Sequence, residues 1–282
     1  MVNTDRVCAL EQRHLAGCFE LSQSARWNQN EADWRLMLAI GHGWGVALAD
    51  GTLAASTLVL PYGRFAWVSM VLVLPSQRRK GFARRLLRTA LEDLGRRGLT
   101  PILDATPVGR TVYQHEGFRD TWGFRRLQLR SPAAALERSA GVRALQESDW
   151  PRLLELDARA FGASREPLLR ALAARLPTAA LVFDGADGPD GFVLGREGRE
   201  ALQLGPLVAR DAGTARALLA AALAAVRPPL YLDLVDRELG LVAWLKSLGF
   251  EFQRPFTRMV HGADTAPGEA ALVFCPAGPE LG

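Results

Sequence analysis

The sequence predicts a mixed α/β fold, built twice along one chain. Two observations carry this. Short apolar runs of strand length alternate with segments whose apolar residues recur at helical spacing. Two stretches also reappear downstream at nearly one offset. "VCALEQRHLAGCFEL" (7–21) resembles "VRALQESDWPRLLEL" (142–156), 135 residues on, and "YQHEGF" (113–118) resembles "LKSLGF" (245–250), 132 residues on. Agreement of the two offsets points to a duplicated unit of about 130 residues, an ordinary domain size. A third observation, a basic loop between a strand and a helix, gives the first copy its chemistry.

In chain order, Val7–Leu10 reads as a short strand and Glu11–Ser22 as a helix. Asn30 is placed to cap a second helix. Asp33 suits its first turn, and Trp34, Met37 and Leu38 are spaced for one buried face. "GVALADGTLAASTLVL" is two apolar runs joined by Asp50-Gly51, a hairpin signal. Trp67–Leu74 is the next strand. Leu86, Leu87, Ala90, Leu91 and Leu94 then repeat at helical spacing, with Arg84, Arg85, Arg88 and Glu92 off that face. "TPILDAT" reads as a strand, "GRTVYQHEGF" as a short helix and "WGFRRLQLR" as a closing strand. "SPAAALERSAG" (131–141) is small and polar and reads as a linker. The expected division is therefore 1–130, the linker 131–141, and 142–282.

The chain has 282 residues, 49% hydrophobic and 23% charged, which is a globular composition. No apolar run approaches the ~20 residues of a membrane span, and no signal-peptide pattern opens the chain. Cys8, Cys18 and Cys275 are odd in number and irregularly spaced, which argues against a disulfide framework or a metal site. A reducing, cytoplasmic setting is expected. Charge is uneven. Residues 1–140 hold 19 Lys+Arg against 12 Asp+Glu, and residues 141–282 hold 15 against 18. The first half suits a small polyanion. No aromatic-interleaved basic stripe suggests nucleic acid.

The informative stretch is "VLVLPSQRRKGFARRLL" (71–87). A helix N-terminus leaves amide N–H groups unpaired and carries partial positive charge, so it receives phosphate oxygens. Gly81 removes a Cβ and lets a ligand approach the backbone. Ala83 keeps the next position small. Arg78, Arg79, Lys80 and Arg84 surround the same point with charge. The segment lacks the Gly-Lys-Ser/Thr of a P-loop and the three glycines of a dinucleotide fingerprint. Two readings fit these residues alone: a pyrophosphate site, or an ordinary basic helix start with solvated arginines.

With "VYQHEGF" (112–118) following in order about 30 residues on, the stretch resembles the acetyl-CoA-binding core of GNAT-fold N-acyltransferases. The match lies in their R/Q-x-x-G-x-G/A loop and their Tyr-x-x-x-Gly-Phe helix. The resemblance covers most of residues 1–130. It implies a splayed sheet, with the pantetheine arm of acetyl-CoA along the backbone of Val71, Leu72 and Val73. It implies the pyrophosphate at Arg78, Arg79, Lys80, Gly81, Phe82, Ala83 and Arg84, and no metal. It implies Tyr113 as proton donor to the leaving thiolate, the alternative being a tyrosine that packs against the sheet. A strand that ends in a bulge would supply the free backbone groups.

The second half departs from the pattern. Asp211 and Gly213 stand where the basic loop should be, and Leu245 matches Tyr113. An acidic residue at a phosphate site repels the ligand. The second copy is therefore expected to be a degenerate GNAT-like domain without coenzyme binding. Several other residues remain open in role. Asp104 could act as a base through water or be structural, and His115 is expected on the exposed side of its helix. Trp27, Asn28 and Trp34 could line an acceptor pocket or be core. Asp233 and Arg258 could be structural or could contact the acceptor. The expected activity is acetyl-CoA-dependent N-acetyl transfer to a small-molecule amine by a monomer or homodimer. The alternatives are a non-catalytic acyl-CoA sensor and a protein lysine or N-terminal acetyltransferase.

Overall fold

A computed structural model of the chain describes residues 6–131, 140–186 and 188–282. Most of the expected linker, 132–139, lies outside the described residues. The chain forms two compact units: residues up to Leu103 together with Leu281, and Asp104–Glu280 together with Gly282.

The first unit begins with β1 (Arg6–Ala9), α1 (Leu15–Ser24), α2 (Glu31–Ile40) and β2 (His42–Ala47). It continues with β3 (Leu53–Tyr62), β4 (Phe65–Val73), α3 (Phe82–Arg96) and the start of β5 (Thr100–Ala105). α2 starts where its cap requires. The Asn30 side chain accepts from the Asp33 amide at 3.0 Å, and the Asn30 amide donates back to Asp33 Oδ2 at 3.0 Å. The expected turn joins β2 to β3, with Gly51 at φ +85° and the Thr52 amide donating to Asp50 Oδ1. α3 buries Leu86, Leu87, Ala90 and Leu94 of the periodic face, together with Phe82, while Leu91 is half-buried. Strands β1 to β4 pair antiparallel in chain order, and β5 joins β4 in parallel.

The second unit takes α4 (Pro107–His115) and β6 (Phe118–Leu129) from the first repeat. It then holds β7 (Val142–Ala144), α5 (Trp150–Phe161), α6 (Glu166–Arg175), β8 (Leu181–Gly185) and β9 (Gly188–Arg196). After these come β10 (Leu202–Ala209), α7 (Ala212–Ala225), β11 (Leu230–Val235), α8 (Leu239–Ser247), β12 (Glu251–His261) and β13 (Val273–Cys275). The order β-α-α-β-β-β-α-β-α-β thus runs twice along the chain, β1 to β6 and β7 to β12, as the repeated segments implied.

Within the second unit the strand order is β12-β6-β11-β10-β9-β8-β7, with β13 attached to β10. The last strands of the two repeats lie side by side and antiparallel, from Phe118 opposite His261 to Leu127 opposite Phe252. β6 also pairs with β11 from Leu129–Leu230 to Phe124–Val235. The first repeat's closing strand is thus held between two strands of the second. That is why the compact units divide at Leu103/Asp104 and not in the linker region. The apolar core of this unit packs α7 and α8 onto β10 and β11 through Leu218, Leu219, Leu223, Leu245, Leu207, Leu232 and Leu234.

Candidate functional site

Two features of β4 mark the candidate site in the first unit. The strand is bulged at Met70, whose φ is +51°, and its register against β3 shifts between Ser56 and Leu58. Ser56 Oγ donates to the displaced Met70 carbonyl at 2.7 Å and holds the bulge in place. The ladder from β4 to β5 also stops at Trp67 opposite Ile102. Beyond that point Val71, Leu72 and Val73 stay registered with β3 through Leu72–Ser56 and Val73–Ala55, and carry no ladder to β5. A strand edge that has parted from its neighbour can take up a ligand's amide groups as it would another strand. The Leu72 side chain is buried, Val71 is half-buried, and half-buried Val73 packs in the core with Phe82 and Leu86. These residues can therefore offer a ligand mainly their backbone.

β4 ends in a short 3-10 turn, Pro75–Gln77, and the chain then enters α3. The backbone is left-handed at Arg79 (φ +63°) and at Gly81 (φ +81°). Gly81 is the N-cap of α3 and supplies no side-chain cap, so the first amides of the helix are left to another acceptor. A Cβ built on Gly81 would meet nothing within 4 Å, so the space before it is open. Arg78, Arg79, Lys80 and Arg84 are exposed around it, and Lys80 donates to Gln77 Oε1 at 2.6 Å. Ala83 is half-buried. Phe82 is core, so only its amide faces the loop. A shallow cavity of about 380 Å³ continues along α3, lined by Gly81, Arg84, Arg85, Arg88, Thr89 and Glu92. The donors suit a pyrophosphate: unpaired amides, an open approach and four cations.

The corresponding segment of the second unit is built the opposite way. The N-cap of α7 is Asp211, whose Oδ1 accepts from the Thr214 amide at 2.8 Å. The carboxylate thus takes an amide that a phosphate would need, and repels one besides. β10 and β11 pair in parallel only from Leu202–Leu230 to Leu204–Leu232. Past that point β13 pairs with β10, Leu207 opposite Cys275 and Val208 opposite Val273, and also packs against β11. The wedge between the parting strands is filled by the chain itself. The fit is tight: a Cβ on Gly205 would lie 2.3 Å from the Pro276 carbonyl oxygen. β13 has no counterpart in the repeated sequence, so pattern reading found the missing basic loop but not the filled wedge.

The other expected residues are placed as follows. Tyr113 lies half-buried on α4 in the second unit, edge-on to Phe118 at 5.8 Å, and Phe118 in turn meets His261 at 5.2 Å. Burial pushes the Tyr113 phenol up to about 12, so it keeps its proton at neutral pH. The matching Leu245 is buried in the core of α8. His115 is exposed, and its Nδ1 lies 2.6 Å from the Thr111 carbonyl.

The Asp104 side chain is buried and receives two hydrogen bonds from Arg258, Nε and Nη2, each at 3.0 Å; Arg258 also stacks over Trp122 at 4.1 Å. Burial pushes the Asp104 carboxyl up, against the pull of Arg258. Asp233 is fully buried, held by Arg126 at 2.8 and 2.7 Å and by Gln203 Nε2 at 2.8 Å. For Asp104, Asp233 and Arg258 the structural reading is the one these contacts support. Trp34 is likewise core, its Nε1 donating to Ser22 Oγ at 3.1 Å. Trp27 is half-buried and Asn28 buried in the loop between α1 and α2. The three cysteines are free, and burial raises the Cys18 thiol to about 12. Among the described residues no group of His, Cys, Asp or Glu is placed to hold a metal ion, and no helix is long and apolar enough to cross a membrane.

The first unit thus combines a splayed β4, a bulge and an uncapped basic helix start, and comparison with known proteins gives the family. Residues 10–118 match the Acetyltransferase (GNAT) family and residues 153–275 match the Acetyltransferase (GNAT) domain. The chain belongs to the GNAT acetyltransferases, as a tandem member, and is an acyltransferase.

Over 250 residues it is 24% identical to the "Uncharacterized N-acetyltransferase YitH" of Bacillus subtilis (strain 168), covering 87% of this chain and 88% of that protein. Among solved structures, an acetyltransferase candidate from Pyrococcus horikoshii superposes with a TM-score of 0.82 at 20% identity, covering 100% of this chain and 97% of that one. A tandem GNAT protein from the clavulanic acid biosynthesis pathway gives 0.61 at 16%, covering 94% and 100%. These likenesses show the fold.

Proposed function

We propose that the first repeat binds acetyl-CoA and that the protein transfers its acetyl group to the amine of a small molecule. The carrying observation is the contrast between the two helix starts. Gly81 leaves the α3 amides uncapped beside four cations, whereas Asp211 occupies the corresponding amide with a carboxylate. In this reading the pantetheine arm follows the free edge of Val71, Leu72 and Val73. The pyrophosphate sits against Arg78, Arg79, Lys80, Gly81 and Arg84 and the amides of Phe82 and Ala83.

Acetyl-CoA supplies an activated carbonyl and a thiolate leaving group. The protein's part is to hold a neutral amine near the carbonyl, to donate to the developing oxyanion, and to protonate the sulfur. A backbone N–H of the bulged segment is the proposed oxyanion donor, and Tyr113 the proposed proton donor. A phenol raised to about 12 is fully protonated at neutral pH and available for that step. Residues 1–130 and 142–282 are proposed as the two repeats, the second without coenzyme. Isothermal calorimetry of the full chain with coenzyme A tests this directly: one site per chain is expected, and two equivalent sites would refute it.

A further inference from the structure

Two buried oxygens of the first unit have no hydrogen-bond partner, Ser69 Oγ and Gln29 Oε1. Their residues are only 5% and 2% exposed. An unpartnered buried polar atom is costly, so native proteins keep few of them without a use.

The two also belong to one layer. Ser69 stands immediately before the Met70 bulge and lies opposite Leu58 on β3, and opposed residues of an antiparallel pair point to the same face. That face can be identified. A Cβ on Gly41 would touch Leu60 Cδ2 and the Met37 carbonyl of α2, so Leu60, and with it Leu58, points toward the α1/α2 side. Gln29 lies in the loop joining α1 to α2. Ser69 Oγ therefore faces the α1/α2 side beside the bulge, and Gln29 is buried in the loop that joins those two helices.

We propose that Ser69 Oγ and Gln29 Oε1 accept hydrogen bonds from the amino group of the acyl acceptor and select a weakly basic, uncharged amine. This rests on the reading that acetyl-CoA lies along β4. Both unsatisfied atoms are acceptors, and a primary amine brings two N–H donors while keeping its lone pair for attack. Charge supports the neutral form. Among the described residues the buried carboxylate of this layer is Asp33, and it is engaged with the Asn30 amide in the cap of α2. No spare buried anion is there to compensate an ammonium ion, whose burial without a partner is costly. The layer thus favours the protonation state that acyl transfer needs.

The test uses the full chain with acetyl-CoA, following thiol release at pH 8 with glycinamide and 4-methoxyaniline as weakly basic probes and spermidine as a polyammonium probe. The weakly basic amines should be turned over and spermidine should not. Ser69→Ala and Gln29→Leu should each lower kcat/KM for glycinamide about tenfold, the worth of one hydrogen bond. Coenzyme A affinity should stay unchanged, and the melting temperature should be equal or higher because an unpartnered buried atom is gone. Ser69→Thr, which keeps the hydroxyl, should restore activity. Unchanged kcat/KM in both variants overturns the proposal, as does turnover of spermidine alone or of no probe while coenzyme A binds. Failure of the wild type to bind coenzyme A would instead overturn the reading beneath it.

Discussion

The loop after β4 and the loop after β10 are the same turn in two copies of one fold, and they differ in what caps the helix that follows. In the first copy the cap is a glycine with open space before it and cations around it. In the second it is an aspartate already bonded to the Thr214 amide, and the neighbouring wedge holds β13. One fold thus offers the same unpaired amides twice. In one copy no side chain caps them, which the proposed function reads as room for a ligand, and in the other they serve the protein's own stability. A ligand site of this kind is made by withholding an internal partner as much as by adding a binding group.

Four substitutions break or sharpen that contrast. The largest effect is expected from Gly81→Glu, which puts bulk, negative charge and a strained left-handed residue at the open approach. Coenzyme A binding by calorimetry should be lost, with at least a hundredfold weaker affinity. Next is Tyr113→Phe, which should lower kcat by ~10²–10⁴-fold while leaving coenzyme affinity intact. Since the phenol is raised to about 12, the wild-type rate should show no loss of a required acid between pH 7 and 10. A fall in that window that the Phe variant lacks would assign Tyr113 a lower value and a different role.

Arg258→Met comes third. It leaves Asp104 buried without its bidentate partner, so a loss of about 3–5 kcal/mol in urea unfolding is expected. Activity should fall only in proportion to the folded fraction. A raised acceptor KM at full stability would return Arg258 to the acceptor site. The smallest effect belongs to Asp211→Ala, which removes one cap. About 1 kcal/mol of stability should be lost, and no second coenzyme site should appear in calorimetry, because β13 still fills the wedge.

Much of this was legible in the sequence, for physical reasons. Cap chemistry and periodicity are local, so Asn30, the Asp50-Gly51 turn and the apolar face of α3 were readable in order. The loop 78–84 was readable because its cations and glycine are contiguous. The missing sequence cues were non-local. Nothing near Val273 says that it pairs with Val208, and nothing in "WGFRRLQLR" says that it will lie between β11 and β12. The bulge at Met70 left no mark either, since its left-handed residue is neither glycine nor asparagine. Ser69 and Gln29 could not be singled out, because an unsatisfied oxygen is defined by its surroundings. The closing strand also shows why the linker was a poor guide to compactness: a boundary in sequence need not be a boundary in contacts.

The placement of β6 carries a consequence for how the chain is made. Its two partners, β11 and β12, are encoded more than a hundred residues after it. At the usual ~5–20 residues per second of synthesis, β6 waits about 5–25 seconds on the ribosome for the edges it will join. During that interval "WGFRRLQLR" lacks the β11 and β12 partners it has in the fold, and three arginines in a strand disfavour pairing with another copy of itself. Two of them then find permanent partners once the second repeat arrives: Arg125 meets Asp236, and Arg126 meets Asp233. The charges that keep the waiting strand solvated become the ion pairs that fix it in place.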